Sequence, residues 1–139
     1  MKQYYAVIDT NVIVSALLVR HEDSATVRVM NEVTHGRIIP LYHQDMLDEY
    51  YEVLHREKFK LSEDSITRAI GSIRDNGIEV FPQPTGEVLI DMDDLVFYEV
   101  AMEKREDDAY LVTGNKRHYP AKSFIVTPTE MMAIIDGKE

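Results

Sequence analysis

The stretch Tyr4–Leu18, YYAVIDTNVIVSALL, decides the fold. Tyr4 to Ile8 is an apolar run of strand length, and Val12 to Leu18 reads as a buried helix, apolar nearly all round. Between them stands Asp9-Thr10-Asn11, a carboxylate followed by two small polar groups. In an open α/β sheet, ligands bind at the carboxyl ends of the strands, where the winding reverses. An Asp leaving the first strand therefore stands where a metal or phosphate site is expected. A carboxylate between two apolar runs also costs free energy to desolvate unless something pairs with it. The competing reading makes Asp9 only the N-cap of the next helix.

Downstream of this stretch, strands and helices alternate. Arg20 to Ser24 reads as a turn, with Asp23 or Ser24 capping a second helix whose apolar stripe is Val27, Met30 and Val33 and whose stop is Gly36. Ile38 to Tyr42 is the second strand. The helix from about Gln44 to Arg56 is the most clearly amphipathic, with Met46, Leu47, Tyr50, Val53 and Leu54 on one face. Glu49 falls at the edge of that face, about 40° from Val53, and so points from packed surface toward a cleft.

A basic segment with Arg56, Lys58 and Lys60 around Phe59 precedes a helix started by Ser62-Glu63-Asp64 and stopped at Asn76-Gly77. Ile78 to Phe81 is the third strand, followed by a turn-rich connection through Pro82, Pro84 and Gly86. Asp91-Met92-Asp93-Asp94 leads into a helix from about Leu95 to Lys104, and Arg105 to Asp108 is a charged turn. Tyr110 to Thr113 is the fourth strand with Gly114-Asn115 as its exit, and Ser123 to Val126 the fifth. Thr127-Pro128 opens the last helix. Such alternation predicts a three-layer α/β/α domain with a parallel sheet of about five strands, right-handed crossovers and all strand C-termini on one edge.

Composition narrows the function classes. The 139 residues suffice for one domain with a core, spanning the chain from 1 to 139. Without Cys there is neither a disulfide framework nor a thiolate nucleophile or ligand. The five His, at 21, 35, 43, 55 and 118, form no helical HxxxH pair for zinc. No signal peptide and no apolar run of about 18 residues is present, so the expectation is a cytoplasmic protein with no membrane contact. The formal net charge of −10 argues against a large basic surface gripping many phosphates. Clustered acids are compatible with nucleic acid when a metal ion reverses their local sign.

On the catalytic edge three acidic positions converge. Asp9 leaves strand one, Glu49 projects from the helix after strand two, and Asp94, with Asp93 and Asp91 beside it, precedes the helix after strand three. Asn115 leaves strand four. Converging carboxylates are unfavourable without a cation, and an oxygen-only donor set favours Mg²⁺ or Mn²⁺. Such an ion suits in-line phosphodiester hydrolysis. Against this, Glu49 reads equally as a solvated helix residue and the three aspartates as helix caps.

Four segments, VIDTNVIVSALL, LDEYYEVLHREKF, DMDDLVFYEVA and AYLVTGNKRHYP, together resemble the PIN-domain family in the right order over nearly the whole chain. The likeness is closest to the prokaryotic group of toxin components of toxin–antitoxin systems. The resemblance implies a PIN-like α/β/α fold and a divalent-metal-dependent ribonuclease leaving a 5′-phosphate. It aligns Asp9, Glu49 and Asp94 with the family's acids, preferring Asp94 to Asp93, which is kept as a compensating metal ligand. It aligns Asn11 and Thr113 with small polar residues of the site. The fourth acidic position of many members falls on Asn115, an amide that adds no charge. Arg56, Lys58, Lys60, Lys116, Arg117 and His118 are the candidates for guiding an RNA backbone. The resemblance further implies an antitoxin partner covering the catalytic edge, and a homodimer.

Two other folds put an Asp after strand one. A haloacid-dehalogenase-like phosphatase needs a second acid where Asn11 stands, and a phosphate-receiver domain needs an acidic pair where only Asp9 is found. The remaining rival is a PIN-like module that binds RNA or protein with little catalysis.

Overall fold

The computed structural model describes residues 2–19 and 21–137, so Arg20 of the expected turn lies outside the described residues. Five parallel strands form one sheet: β1 (Tyr4–Ile8), β2 (Ile38–Tyr42), β3 (Ile78–Glu79), β4 (Tyr110–Val112) and β5 (Ile125–Val126), in the order β3-β2-β1-β4-β5. Six helices flank it: α1 (Thr10–Val19), α2 (Ala25–His35), α3 (Gln44–Leu54), α4 (Glu63–Asn76), α5 (Leu95–Glu103) and α6 (Pro128–Ile135). β2 and β3 step to one side of β1, and β4 and β5 to the other. The winding therefore reverses between β1 and β4, which pair in the register Ile8 with Val112.

β1 is the centre because nothing polar interrupts it. Ala6, Val7 and Ile8 are all fully buried, as a strand with helices over both faces requires. α2, α4 and β2 pack together, while α5 lies against β1, β2 and β4 and meets α3. Tyr50 of α3 and Phe97 of α5 fill the space between those two helices, with ring centroids 5.9 Å apart and both side chains buried. Truncating Phe97 to Ala is worth about 3–5 kcal/mol of stability.

Local chemistry sets the element ends. Gly36 closes α2 in the left-handed region at φ 83°, which a residue without Cβ adopts freely. The Ser62 hydroxyl accepts from the Ser65 amide to start α4, and Thr127 and Glu130 make a reciprocal capping box for α6, with Pro128 in the first turn. Gly77 ends α4 for a steric reason: a Cβ there would stand 2.4 Å from the Ile73 carbonyl oxygen and 2.5 Å from that of Pro40.

Several expectations need correction. α1 starts at Thr10 rather than Val12, and its last turn is half out of the core, with Leu18 48% and Val19 52% exposed. The buried stripe of α2 is Val29 and Val33, with Val27 and Met30 only half-buried. Ser24, not Asp23, is the N-cap of α2, without a side-chain cap bond. β3 ends at Glu79 because the chain then meets Pro82 and Pro84, which have no amide to donate to a ladder. The connection after it is an extended strap rather than a series of turns. It is held to α5 by the Gln83 amide on the Glu103 carboxylate and the Thr85 amide on Glu99. No helix among the described residues is long and apolar enough to cross a membrane.

Candidate functional site

Asp9 is the first residue past β1, at the point where the winding reverses. Its own amide still donates to the Val112 carbonyl at 2.9 Å, so the last rung of the sheet fixes its backbone. The carboxylate is 5% exposed and one oxygen, Oδ2, accepts from three side chains. Thr113 Oγ1 donates at 2.7 Å, Tyr119 Oη at 3.0 Å and Asn11 Nδ2 at 3.3 Å. Burial pushes the Asp9 carboxyl up from the ordinary range, and the Thr113, Tyr119, Thr10 and Asn11 donors pull back against it. Asp9 is thus more than a helix cap.

Glu49 reaches the same place from α3. It is half-buried, at the edge of the face that carries Met46 and Tyr50. Thr10 Oγ1 donates to its Oε2 at 2.5 Å, so the residue after Asp9 holds the second acid. Burial first, then repulsion by Asp9, Asp94 and Asp93, raises its pKa to about 7. Below it, the fully buried Tyr50 hydroxyl donates to the Ile8 carbonyl at 2.5 Å and ties α3 to the end of β1.

Asp94 ends a 3₁₀ turn, Met92–Asp94, and occupies the N-cap position of α5 without making a cap bond. The cap reading belongs instead to Asp91, whose side chain accepts from the Asp93 amide at 3.0 Å. The Asp94 side chain is 13% exposed, and its Oδ2 is buried without a hydrogen-bond partner. His118 Nδ1 stands 3.4 Å from that oxygen, close enough for charge attraction but not aligned for a hydrogen bond. Burial, then Asp9 and Asp91, raise the Asp94 pKa to about 6. Asp93 is exposed and turned toward the neighbouring cleft.

β4 supplies the opposite wall. Thr113 is fully buried; besides donating to Asp9, its hydroxyl accepts from the Asn115 amide at 3.0 Å. Asn11 is a clasp between β1 and β4, its Oδ1 accepting from the Gly114 amide at 3.0 Å. Asn115 pairs its side-chain amide with His118 Nε2 at 2.9 Å, and His118 in turn faces Asp94. The amide at the fourth acidic position is therefore coupled to the third acid through an imidazole.

The basic candidates differ in what they touch. Arg56 is paired with Glu52 at 3.1 Å and Lys116 with Glu130 at 3.1 Å. The Lys58 ammonium lies 5.2 Å from the Phe59 ring centroid. Arg117 is exposed and makes no ion pair among the described residues.

Sequence reading missed Tyr119, Thr10 and Tyr50 as parts of the site, and missed the contact of His118 with Asp94. Tyr119 lies 110 residues from the carboxylate it serves, and only its place beside Pro120 after the strand-four exit marked it.

As placed, no three Asp, Glu or His side chains among the described residues are in a geometry that could hold a metal ion. The chemistry of the donor set nevertheless fits a hard divalent cation. It is all oxygen, Asp9 raises the proton affinity of both Glu49 and Asp94, Asp94 raises that of Glu49, and one buried Asp94 oxygen has no hydrogen-bond partner among the described residues. A divalent charge is what would reverse that repulsion.

Comparison with known proteins gives the family and the fold. A family model described as a PIN domain matches residues 5–117. The crystal structure of PAE2754 from Pyrobaculum aerophilum superposes with a TM-score of 0.57, covering 97% of this chain and 90% of that one at 16% identity, a likeness of fold. No curated protein matches the chain.

Proposed function

Because the chain belongs to the PIN-domain family, generally metal-dependent nucleases that bind divalent metals, we propose that it is an endoribonuclease hydrolysing RNA phosphodiester bonds, with residues 1–139 as one such domain. The observation that carries the reading is the convergence of Asp9, Glu49 and Asp94, from three separate elements, at the reversal between β1 and β4. Asp9, Glu49 and Asp94 would hold Mg²⁺ or Mn²⁺, with Asp93 at the rim. When bound, the ion supplies Lewis-acid stabilisation of charge on the phosphate and a lowered pKa for the attacking water.

The chain's own residues set the stage. Thr113 and Tyr119 hold Asp9 in one orientation and pull against the rise that burial imposes on its pKa, and Thr10 does the same for Glu49. Asn115 orients the His118 ring toward Asp94. The reaction adds water across the P–O3′ bond, the hydroxyl going to phosphorus and the proton to the leaving 3′ oxygen, which gives a 5′-phosphate.

The deciding experiment is a cleavage assay on a panel of single-stranded RNAs in EDTA, Mg²⁺ and Mn²⁺, with wild type beside Asp9→Asn. Cleavage that needs metal and vanishes in the variant supports the enzyme. A folded protein that cleaves nothing with either metal refutes it. A second reading, an RNA- or protein-binding module with little catalysis, is favoured by the amide at position 115 and the net charge of −10. RNA binding unaffected by Asp9→Asn, without cleavage, would select it.

A toxin role with an antitoxin covering the catalytic edge, and a homodimeric state, belong to the same proposal. Growth arrest on expression of wild type but not Asp9→Asn tests the first, and sedimentation of the purified protein the last.

A further inference from the structure

Two clefts flank the carboxylates, and their walls differ in sign. One, of about 520 Å³, is walled by Asp45, Asp48, Glu49, Glu52 and Asp93, with Arg56 its single cation. That guanidinium is already spent on Glu52 at 3.1 Å. The other, of about 470 Å³, lies between α1, the start of α2 and the exit of β4, and is walled by Asn11, Ser15, Thr26, Asn115 and Arg117. No carboxylate of the described residues lines it. Its inner end adjoins the site, since Asn11 Nδ2 is 3.3 Å from Asp9 Oδ2.

The second cleft is a set of donors. Thr26 Oγ1 lies 3.3 Å from Ser15 Oγ and 3.0 Å from Ser24 Oγ, forming a row of three hydroxyls. Ser15 and Thr26 line the cleft while Ser24 is bonded to Thr26 without lining it, and two hydrogen bonds within the row leave one of its three hydroxyl protons over. Facing the row is Arg117, exposed and without an ion pair among the described residues. Arg117 also lines the next depression, with Tyr119 and Lys122, so positive charge continues outward from this cleft. A guanidinium fork with hydroxyl donors matches the oxygens of a phosphodiester. Five carboxylates around a neutralised arginine repel one.

We infer that the hydroxyl-lined cleft holds the RNA phosphodiester next to the scissile one, with the strand leaving the site along Arg117 and Lys122 and not across the acidic cleft. The inference rests on the nuclease reading and adds to it a direction for the substrate.

The test measures binding of a short fluorescein-labelled single-stranded RNA by anisotropy across a salt series, in EDTA so that no metal-dependent hydrolysis competes. Arg117→Ala weakens binding about tenfold and makes the slope of log K against log salt shallower by about 0.7. Thr26→Val weakens it about threefold with the slope unchanged, and Arg56→Ala changes both less than Arg117→Ala does. Unchanged thermal unfolding of Arg117→Ala, whose side chain has no ion pair or hydrogen bond to lose among the described residues, separates contact from fold. Wild-type binding that Arg117→Ala does not weaken, or a loss carried by Arg56→Ala instead, overturns the inference and leaves the nuclease reading standing. Failure of the wild-type protein to bind or cleave any RNA, both in EDTA and with Mg²⁺, overturns both.

Discussion

Asp9 and Asp94 repel each other across the site, yet Asp9 has three side-chain donors on one oxygen while Asp94 has a buried oxygen with none. The first acid is part of the framework. Its orientation is fixed by β4 and Tyr119 before any ligand arrives. The second has only the His118 ring nearby, 3.4 Å away, and under the proposed function a cation would meet the rest of its demand. Preorganisation on one side and an unmet demand on the other divide the work between fold and ligand.

Breaking the fixed side gives the largest effect. Asp9→Asn keeps an oxygen for Thr113 and Tyr119 but removes the charge, so metal-dependent cleavage falls at least about 100-fold. The same change raises the thermal midpoint of the metal-free protein near pH 7, because it relieves a buried carboxylate. A variant inactive and less stable than wild type would contradict this picture. Thr113→Val comes next, as it strips one donor from Asp9 and leaves the Asn115 amide without its acceptor. Urea unfolding should show a loss of about 2–3 kcal/mol. Tyr119→Phe removes one donor of three and should cost about 1 kcal/mol, with weaker Mn²⁺ binding by calorimetry.

The open side responds to pH. Glu49 and Asp94 titrate at about 7 and about 6 in the folded chain, above the ordinary 4.5 and 3.8. The folded state therefore binds more protons than the unfolded state between those limits, and stability falls as pH rises through them. The urea midpoint of the metal-free protein should decline from about pH 4.5 to 7. Mn²⁺ should restore it at pH 7.5 and not at pH 4.5, and a flat profile would remove the repulsion from the account.

The alternation of apolar runs was enough to read β1, β2, α3 and the parallel sheet, because burial on both faces writes itself into composition. Glu49 was legible from its angle on the helix. Asp94 was not separable from Asp91 and Asp93 by residue type, since all three are favoured caps. The coordinates assign the cap bond to Asp91 and the orphan oxygen to Asp94. Tyr119, and the contact of His118 with Asp94, were out of reach because the partners lie far away in sequence. The strap after β3 was misread because Pro and Gly signal turns, whereas here Pro excludes the ladder and two glutamates on α5 take up free amides.

The two outer strands, β3 and β5, are each only two residues long. An outer strand exposes a row of unpaired amides and carbonyls that invites another chain to add on. With so little open edge, this sheet offers almost no template for growth into filaments, even though its centre is entirely apolar. Strand-to-strand growth is thereby discouraged, and the parallel sheet remains a closed affair of one chain.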